Sequence, residues 1–323
     1  PGHGGGEARA RRALTSPAAE ARVSPTRIVS RQNPRYREVA RLVSSSRDRR
    51  KAGRCVLEGE HLVAVHLERI GQPEVMVVNE DALARPGVAA LLSRVPESRL
   101  IVVPRALFDG MGALPPDVGV IAVAPAPKPA QRPPGDLCLL LDAIQDPGNV
   151  GSMLRTAAAF GVDDAYLSRD CAFAWSPKVL RAGQGAHFQI AIHEDADLVA
   201  LARSYRAEGG QVVATVASNG RPLHEARIAG RVAVAVGNEG AGLSAALRAE
   251  ADLAVTIPMP GGSESLNAAA AAAVALYDDK VPAFRALLAQ QGGDLPAFYR
   301  RVRELAAKPK AERDAVLGAL DSP

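Results

Sequence analysis

Two uninterrupted apolar runs constrain the fold of this chain most. They read LCLLLD at 137–142 and VAVAVG at 232–237, and each leads directly into a loop. A strand without polar alternation is typical of a parallel sheet that helices cover on both faces. Further strands are predicted at FQIAI, QVVATVA and LAVTIP, with helices between most of them. The sequence therefore predicts an α/β domain over residues 137–280.

The loop after the second run, GNEGAGLS at 237–244, holds three glycines and one acid. It is unlike a Walker phosphate loop because it lacks the Lys-Ser/Thr ending, and Glu239 would repel phosphate. Its G-x-x-G-x-G spacing also differs from the G-x-G-x-x-G of dinucleotide-binding turns. An acid, an amide and bare backbone suit a ligand that is neutral or positive where it touches the loop. A simple strand-to-helix turn would use the same glycines for their backbone freedom.

A proline-rich segment divides the chain. PAPKPAQRPPGD at 125–136 contains five prolines in twelve residues, and it can neither pair as a central strand nor continue a helix. Before it, alternating strand and helix patterns (RCVLEG, EHLVAVHLERIG, EVMVV, ALARPGVAALLSRV, RLIVV and VGVIAVA) predict a small α/β domain over residues 26–124. Residues 1–25 lack apolar periodicity and are expected to be a disordered basic tail, and residues 281–323 are expected to form a helical extension.

Composition excludes several classes of protein. Hydrophobic residues make up 47% of the chain and aromatic residues only 4%, so the cores must be aliphatic. No apolar run is long enough for a membrane helix, and the first residues do not resemble a signal peptide, so a cytoplasmic location is expected. Cys55, Cys138 and Cys171 lack the spacing of a disulfide framework or a metal site, and no metal is expected.

Positive charge is concentrated near the N-terminus. Fourteen arginine and lysine residues lie between Arg9 and Arg54, where acidic residues are few. Clustered arginines supply phosphate contacts to nucleic acid, although a solvated helix face has the same composition. The candidate RNA-binding residues are Arg31, Asn33, Arg35, Arg37, Arg49, Arg50 and Lys51.

Three segments of the predicted 137–280 domain resemble a known set of motifs. They read DPGNVGSMLRTAAAFGVD, AVGNEGAGLS and IPMPGGSESLNAAAAAAVALYD. In order and spacing they resemble the three motifs of the SpoU/TrmH family of RNA ribose 2′-O-methyltransferases, part of the SPOUT class. The segment IVSRQNPRYREVARL…CVLEGEHLV also looks like the RNA-binding domain, with a ribosomal-protein-like α/β fold, that many family members carry ahead of the catalytic domain.

The resemblance implies a trefoil knot in the C-terminal α/β domain, a homodimer, and S-adenosylmethionine as the cofactor. It implies RNA as the substrate, with ribosomal RNA favoured over transfer RNA because of the separate N-terminal domain. The cofactor would rest on the second and third motifs. The residues implied for this contact are Val236, Gly237, Asn238, Gly240, Ile257, Met259, Gly261 and Leu266.

By the same resemblance Arg155 occupies the position of the catalytic arginine. Asn149 and Glu239 would orient the ribose and Arg155, and Ser265 and Asn267 would complete the pocket. A guanidinium group scarcely deprotonates in proteins, so it is a poor general base. An arginine that binds a phosphate and polarises the 2′-oxygen agrees better with its chemistry. Outside the motif context, Asn149 and Ser265 would be simple helix caps and Arg155 a surface ion pair.

The sequence departs from the family pattern in two places. Ala268 and Ala269 stand where Val-Ser is common, which should alter helix packing and not the chemistry, and residues beyond 281 exceed the usual end of the domain. Two rival functions stay open: an RNA-binding protein of this fold without catalysis, and a nucleotide-dependent oxidoreductase. The oxidoreductase would need a glycine-rich first turn, but AIQDPGN has a single glycine.

Overall fold

The structure is a computed structural model that describes residues 25–112, 114, 117–226, 228, 230–257, 268–277, 286–287, 289–292, 294–306, 308 and 310–321. The expected basic tail, apart from residue 25, and most of the third motif ahead of residue 268 lie outside the described residues. Two sheets follow one another along the chain, and residues 126–136 join them.

The first sheet has five strands in the order β1-β4-β3-β5-β2. Strands β1, β4 and β3 are parallel, whereas β5 runs antiparallel to both β3 and β2. Its elements are β1 (Thr26–Arg27), α1 (Pro34–Ser44), α2 (Ser46–Ala52), β2 (Arg54–Glu58), α3 (Glu60–Arg69), β3 (Val75–Asn79), α4 (Pro86–Leu92), β4 (Leu100–Val103), α5 (Arg105–Asp109) and β5 (Val120–Pro125).

The second sheet has seven parallel strands in the order β10-β12-β9-β11-β6-β7-β8. Its elements are β6 (Leu137–Asp142), α6 (Pro147–Ala159), β7 (Asp164–Leu167), α7 (Pro177–Gly183), β8 (Ala191–His193), α8 (Leu198–Ala207), β9 (Gln211–Thr215), β10 (Arg221–Pro222), β11 (Val232–Gly237), α9 (Ala245–Ala249), β12 (Leu253–Thr256) and α10 (Ala268–Tyr277). Helices α11 (Leu295–Ala306) and α12 (Lys310–Asp321) lie further along the chain.

The two apolar runs form strands with the bounds that the sequence predicts. All six residues of β11, and five of the six in β6, are buried, as expected for central strands covered on both faces. Helices α6, α7 and α10 pack on one face of this sheet, and α8 and α9 pack on the other. The central position of β6 and β11 places their ends at the middle of one sheet edge.

Three element predictions differ from the structure. The simple helix cap considered at Asn149 lies instead at Asp146, whose side chain accepts the N–H of Asn149, so α6 begins at Pro147. The predicted FQIAI strand is shortened to β8, because Ala186–Phe188 form a 3₁₀ turn. The helix expected around 82–95 is divided, because Pro86 fixes a new N-terminus after a 3₁₀ turn at Glu80–Ala82.

The two sheets share an apolar core. One continuous cluster of buried side chains includes Leu57 and Leu62 from the first sheet's layer and Val179 and Phe188 from the second's. The proline-rich segment is also held against the second sheet, since the Tyr205 hydroxyl donates to the carbonyls of Gly135 and Asp136. Helix α7 contacts β2 directly, so the N-terminal sheet packs on the helices that cover the C-terminal one.

Candidate functional site

The loops that follow β6 and β11 lie side by side. The two strands are parallel neighbours, with Gly237 paired to Asp142 at their carboxyl ends. Two side-chain hydrogen bonds then join the loops: Asn238 Nδ2 donates to the Ala143 carbonyl over 2.9 Å, and Asn149 Nδ2 donates to Glu239 Oε1 over 2.5 Å. The fold thus brings residues of the first and second sequence motifs into contact.

The glycine loop is closed by its own backbone. The Asn238 N–H donates to the Gly242 carbonyl over 3.0 Å, and the Gly242 N–H donates to the Asn238 carbonyl over 2.9 Å. Asn238 Oδ1 accepts the N–H groups of Gly240 and Ala241. Gly242 has φ +70°, and a Cβ on Gly237 would lie 2.2 Å from the Gly242 carbonyl carbon. At these two positions glycine is required by the turn itself. A Cβ on Gly240 would meet only Asn238 Oδ1, at 3.7 Å, so that position has room for a ligand to approach.

The end of β6 is tied to the helix that follows the glycine loop. The buried Asp142 carboxylate accepts the backbone N–H of Ser244 over 2.8 Å, and Ser244 caps α9 through its side chain. Ala143 follows with φ +57°, a conformation that L-residues rarely adopt. The Ser168 hydroxyl accepts its N–H and Asn238 binds its carbonyl, so neighbouring loops hold this backbone in place.

A cavity of about 300 Å³ opens beside the glycine loop. Its described walls come from the ends of three neighbouring strands, β9, β11 and β12, and from α9 and α10. They consist of residues 215–218, 236–243, Arg248, Val255, Ile257, Ala268 and Ala271. Ligands of open parallel sheets bind beyond the carboxyl ends of the strands, and this cavity lies in that position.

Several residues predicted from the sequence meet at this cavity. Val236, Gly237, Glu239, Gly240 and Ile257 line it. Asn238 also lines it, but its side chain is engaged by three hydrogen bonds, two inside the glycine loop and one to Ala143. The remaining predicted residues of the third motif, Met259, Gly261, Ser265, Leu266 and Asn267, lie outside the described residues.

Helix α6 carries both Asn149 and Arg155, and its first turn adjoins the glycine loop through the Asn149–Glu239 hydrogen bond. Neither is among the described residues that line the cavity, but Asn149 reaches it through Glu239. Arg155 is exposed on the face of α6 that also carries Gly148 and Ser152, since residues three or four apart share a helix face. Its guanidinium is therefore open to a ligand from solvent.

The structure adds lining residues that sequence reasoning missed. Residues 215–218 follow β9, and Arg248 lies on α9. The rule that strand ends converge would have indicated residues 215–218 once β9 was placed beside β11. No signal in the sequence indicated Arg248, because its position depends on how α9 packs.

The basic surface of α1 and α2 is largely exposed, with one exception. Arg31, Arg35, Arg37, Arg50 and Lys51 are exposed, as are Arg41 and Arg47. Arg49 is instead 6% exposed, and its Nη1 donates to the carbonyls of Leu42 and Val43. Arg49 thus stabilises the end of α1, and it does not belong to an RNA-facing surface. Asn33 caps α1 by accepting the N–H groups of Arg35 and Tyr36.

Helix α2 contacts a loop at the carboxyl edge of the second sheet. The Arg50 guanidinium lies 4.4 Å from the ring centre of Phe173, in the loop after β7. This contact is a cation–π interaction. Because β7 is the neighbour of β6, the basic helix reaches the same sheet edge as the paired loops.

Buried polar and aromatic side chains lie at and beside the junction of the two sheets. Glu58 pairs with Arg181 of α7, and burial raises the pKa of the Glu58 carboxyl against the opposing effect of Arg181. His66 packs edge-on against Phe188, and Trp175 lies beside His187. Burial lowers the pKa of His66, and it lowers the pKa of His187 to about 4. Both imidazoles are therefore neutral at pH 7.

The cysteines are buried or partly buried, and none forms a disulfide. Burial raises the pKa of the Cys55 and Cys138 thiols to about 12, so both stay protonated. In the described ranges, no group of three or more His, Cys, Asp or Glu side chains is placed to hold a metal ion. A search of the same residues finds no helix with the length and apolar character needed to cross a membrane.

Comparison with known proteins identifies relatives along most of the chain. The model of the SpoU rRNA Methylase family matches residues 136–277. The chain is 33% identical over 265 residues to the 23S rRNA (guanosine(2553)-2′-O)-methyltransferase RlmP of Bacillus subtilis, covering 77% of this chain and 97% of that protein. It is also 33% identical over 254 residues to an uncharacterised tRNA/rRNA methyltransferase of Synechocystis, covering 78% and 92% of the two chains.

Solved structures agree with these relatives. The SpoU methyltransferase AviRb from Streptomyces viridochromogenes, in complex with AdoMet, superposes with a TM-score of 0.67 at 26% identity, covering 76% of this chain and 97% of that one. A TrmH-family RNA methyltransferase structure from Porphyromonas gingivalis gives a TM-score of 0.65 at 29% identity, with the same coverage. A second family model, described as a putative aminopeptidase, matches only the short stretch 262–317. The chain belongs to the SpoU rRNA methylase family.

Proposed function

We propose that this protein transfers a methyl group from S-adenosylmethionine to a ribose 2′-hydroxyl of RNA, at the carboxyl edge of the seven-stranded sheet. One observation carries the proposal: the Asn149–Glu239 and Asn238–Ala143 hydrogen bonds join the first and second motifs beside a cavity at that edge. RlmP is an RNA methyltransferase, and the related AviRb structure contains AdoMet. The family membership and the cavity therefore support the same activity.

The described cavity walls fit this cofactor. Val236, Val255 and Ile257 offer an apolar surface for adenine, and the glycine loop leaves backbone accessible at Gly240. When bound, S-adenosylmethionine supplies a methyl group on a positively charged sulfur. Glu239 is the acid in the wall, and a carboxylate stabilises a nearby positive charge. Met259, Gly261 and Leu266 are proposed to complete the contact, as the family resemblance implies.

Arg155 is proposed to act on the RNA side of the reaction. Guanidinium remains charged at neutral pH and presents a planar fork of donors that suits phosphate. From the exposed face of α6 it would fix an RNA phosphate and polarise the ribose 2′-oxygen, whose proton would pass to solvent as the oxygen receives the methyl group. Holding the hydroxyl in line with the methyl group would supply much of the rate acceleration, because a bimolecular step then becomes effectively unimolecular.

Asn149 and Glu239 are proposed to position the reacting groups. The 2.5 Å bond between them ties the first turn of α6 to the glycine loop, so Arg155 and the cofactor cavity keep a fixed spacing. Ser265 and Asn267 are proposed to complete the pocket ahead of α10.

The exposed cations of α1, of α2 and of the turn before α1 are proposed to bind the RNA backbone. Arg31, Arg35, Arg37, Arg50 and Lys51 supply positive charge on the N-terminal region, and the Arg50–Phe173 contact brings that charge to the catalytic edge. Ribosomal RNA is the favoured substrate because RlmP, which the match covers over nearly its whole length, is named for 23S rRNA. Residues 26–124 would then act as the RNA-binding domain.

The same family membership supports a trefoil knot and a homodimer. After β11 the chain crosses to β12 on the far side of β9, and α10 returns to pack on α6 and β11. We infer that this return completes the knot, and that two copies pair through their knotted domains. Sedimentation analysis would test the pairing, with a dimer mass expected at micromolar concentration.

Labelled methyl transfer tests the function. Unmodified ribosomal and transfer RNA transcripts are incubated with the protein and S-adenosylmethionine labelled in the methyl group, and nucleoside analysis identifies the product. We expect a 2′-O-methyl nucleotide in ribosomal RNA, and we expect Arg155→Ala to lower the rate by at least about 100-fold. Arg300→Ala, an exposed arginine of α11, is the matched control. RNA binding without methyl transfer to any transcript or ribosomal subunit would overturn the proposal.

A further inference from the structure

The candidate cavity has one cationic side chain among its described lining residues, Arg248 of α9. The helix that carries it is held in place, because Asp142 accepts the N–H of Ser244 and the Ser244 carbonyl accepts the N–H of Arg248. Arg248 is exposed toward solvent and cavity. A charged group thus lies at a fixed place on the cavity wall.

The neighbouring acids are engaged elsewhere. Glu250 pairs with Arg203 and Arg206 of α8, and Asp252 also pairs with Arg206. Within the part of the chain that the structure describes, the Arg248 guanidinium forms no hydrogen bond or ion pair. Its positive charge is therefore available to a ligand in the cavity.

We propose that Arg248 binds the α-carboxylate of S-adenosylmethionine. The inference rests on the proposed function, and it assigns the cofactor's methionine end to the α9 side of the cavity. The cofactor carries a carboxylate together with positive sulfonium and ammonium groups, and the cavity wall carries Glu239 and Arg248. Opposite charges attract and like charges repel, so the carboxylate faces Arg248 and a positive group faces Glu239. An arginine binds a carboxylate through two parallel charged hydrogen bonds.

An RNA phosphate is the other anion that could reach an arginine, but the placement of α9 favours the cofactor. Leu247 of α9 packs in the cluster that covers one face of the sheet, whereas Val150, Met153 and Leu154 of α6 pack in the cluster on the other. Arg248 therefore lies across the sheet edge from Arg155, the residue proposed to face RNA. Binding of the cofactor carboxylate and binding of an RNA phosphate both predict lower activity when the charge of Arg248 is removed. The assay must therefore distinguish cofactor affinity from RNA affinity.

Binding measurements without RNA test the assignment. Calorimetry compares S-adenosylhomocysteine with 5′-methylthioadenosine, which lacks the amino acid portion and so the carboxylate. For Arg248→Gln we expect the Kd of S-adenosylhomocysteine to rise about tenfold, the loss of one charge-assisted pair, with the Kd of 5′-methylthioadenosine unchanged. Arg248→Lys should recover part of the affinity. Arg300→Gln is the matched control, because it removes an exposed arginine of α11 that is not among the described residues of the cavity wall.

Steady-state kinetics give an independent readout. Arg248→Gln should raise the KM for S-adenosylmethionine and leave kcat and the KM for RNA unchanged, as expected when ground state and transition state lose the same interaction. Equal weakening of both nucleosides, or an unchanged Kd for S-adenosylhomocysteine with a higher KM for RNA, would overturn the inference. A wild-type protein that binds no S-adenosylhomocysteine and transfers no methyl would instead contradict the proposed function itself.

Discussion

The two sheets of this protein use different parts of their architecture for the proposed function. In the seven-stranded parallel sheet, the candidate residues follow the carboxyl ends of strands, where loops from β6 and β11 meet. In the five-stranded sheet, the candidate residues lie on the outer surface of α1 and α2. A cofactor needs a concave place where several backbones converge, whereas an RNA backbone needs accessible cations spread over a surface.

The comparison predicts that substitutions at the sheet edge act on chemistry and that substitutions on the helices act on RNA affinity. Substitutions at the junction between the sheets should change neither the chemistry nor the RNA affinity. The junction is built from apolar side chains and from buried polar groups such as Glu58, His66 and His187, so its variants should change stability.

Gly237→Val should abolish the cofactor site. A Cβ at this position would lie 2.2 Å from backbone atoms of Gly242 and Leu243, so the glycine loop must move. We expect more than about a 100-fold loss in affinity for S-adenosylhomocysteine, the cost of displacing a positioned loop, measured by calorimetry. Gly318→Val in α12 is the control, because a Cβ there meets no atom within 4 Å. Retained affinity in Gly237→Val would show that the loop does not form the site.

Arg49→Met and Arg50→Met should separate two neighbouring arginines. Arg49 is buried and donates to two carbonyls, so its removal should lower the free energy of unfolding by about 3 kcal/mol. Arg50 is exposed over the Phe173 ring, and its removal should cost less than about 1 kcal/mol. Denaturant unfolding measures both. Equal costs would contradict the distinction between an arginine of the core and an arginine of the surface.

Acidification should weaken the protein through His187. Its folded pKa is lowered to about 4 from an ordinary value of 6.5, so the unfolded chain binds the proton first. Stability from this group is complete above pH 6.5 and is lost as pH falls toward 4, by about 3 kcal/mol in total. The slope of unfolding free energy against pH should be smaller in His187→Gln. His61→Gln, at an exposed histidine, is the control, and an unchanged slope in His187→Gln would refute the prediction.

A triple variant of the basic surface should weaken RNA binding and leave the chemistry intact. Replacing Arg35, Arg37 and Lys51 with Gln removes three exposed cations. The Kd for RNA should rise about tenfold at about 0.1 M salt, and the slope of log Kd against log salt should fall by about 2. A filter-binding salt series measures both quantities. An unchanged salt slope would place the RNA on another surface.

Much of the fold follows from the sequence because its strongest signals are local. The runs LCLLLD and VAVAVG form β6 and β11 with unchanged bounds, and their parallel pairing explains why the loops meet. The 3₁₀ turn at Ala186–Phe188 was not predicted, because Phe188 packs at the junction with His66, which is distant in the sequence. Local pattern cannot detect a contact that the other sheet creates.

The sequence predicts only part of the candidate site, because its motifs are local signals. Asn149 and Glu239 were identified by motif resemblance, and the structure places them 2.5 Å apart, which supports their proposed shared role. The burial of Arg49 and the cavity position of Arg248 were not predicted. Each is one arginine among many in the sequence, and only the packing of α2 and α9 distinguishes it.

The most direct test of the division between the sheets is the single-turnover rate of methyl transfer at saturating S-adenosylmethionine, measured over a range of RNA concentrations. For Arg155→Ala, the account predicts a rate at saturating RNA that is at least about 100-fold lower, with the half-saturating RNA concentration little changed. For the Arg35, Arg37 and Lys51 triple variant it predicts a normal saturated rate and a half-saturating concentration about tenfold higher. The account would be contradicted by the reverse pattern, in which the triple variant lowers the saturated rate and Arg155→Ala only raises the half-saturating RNA concentration.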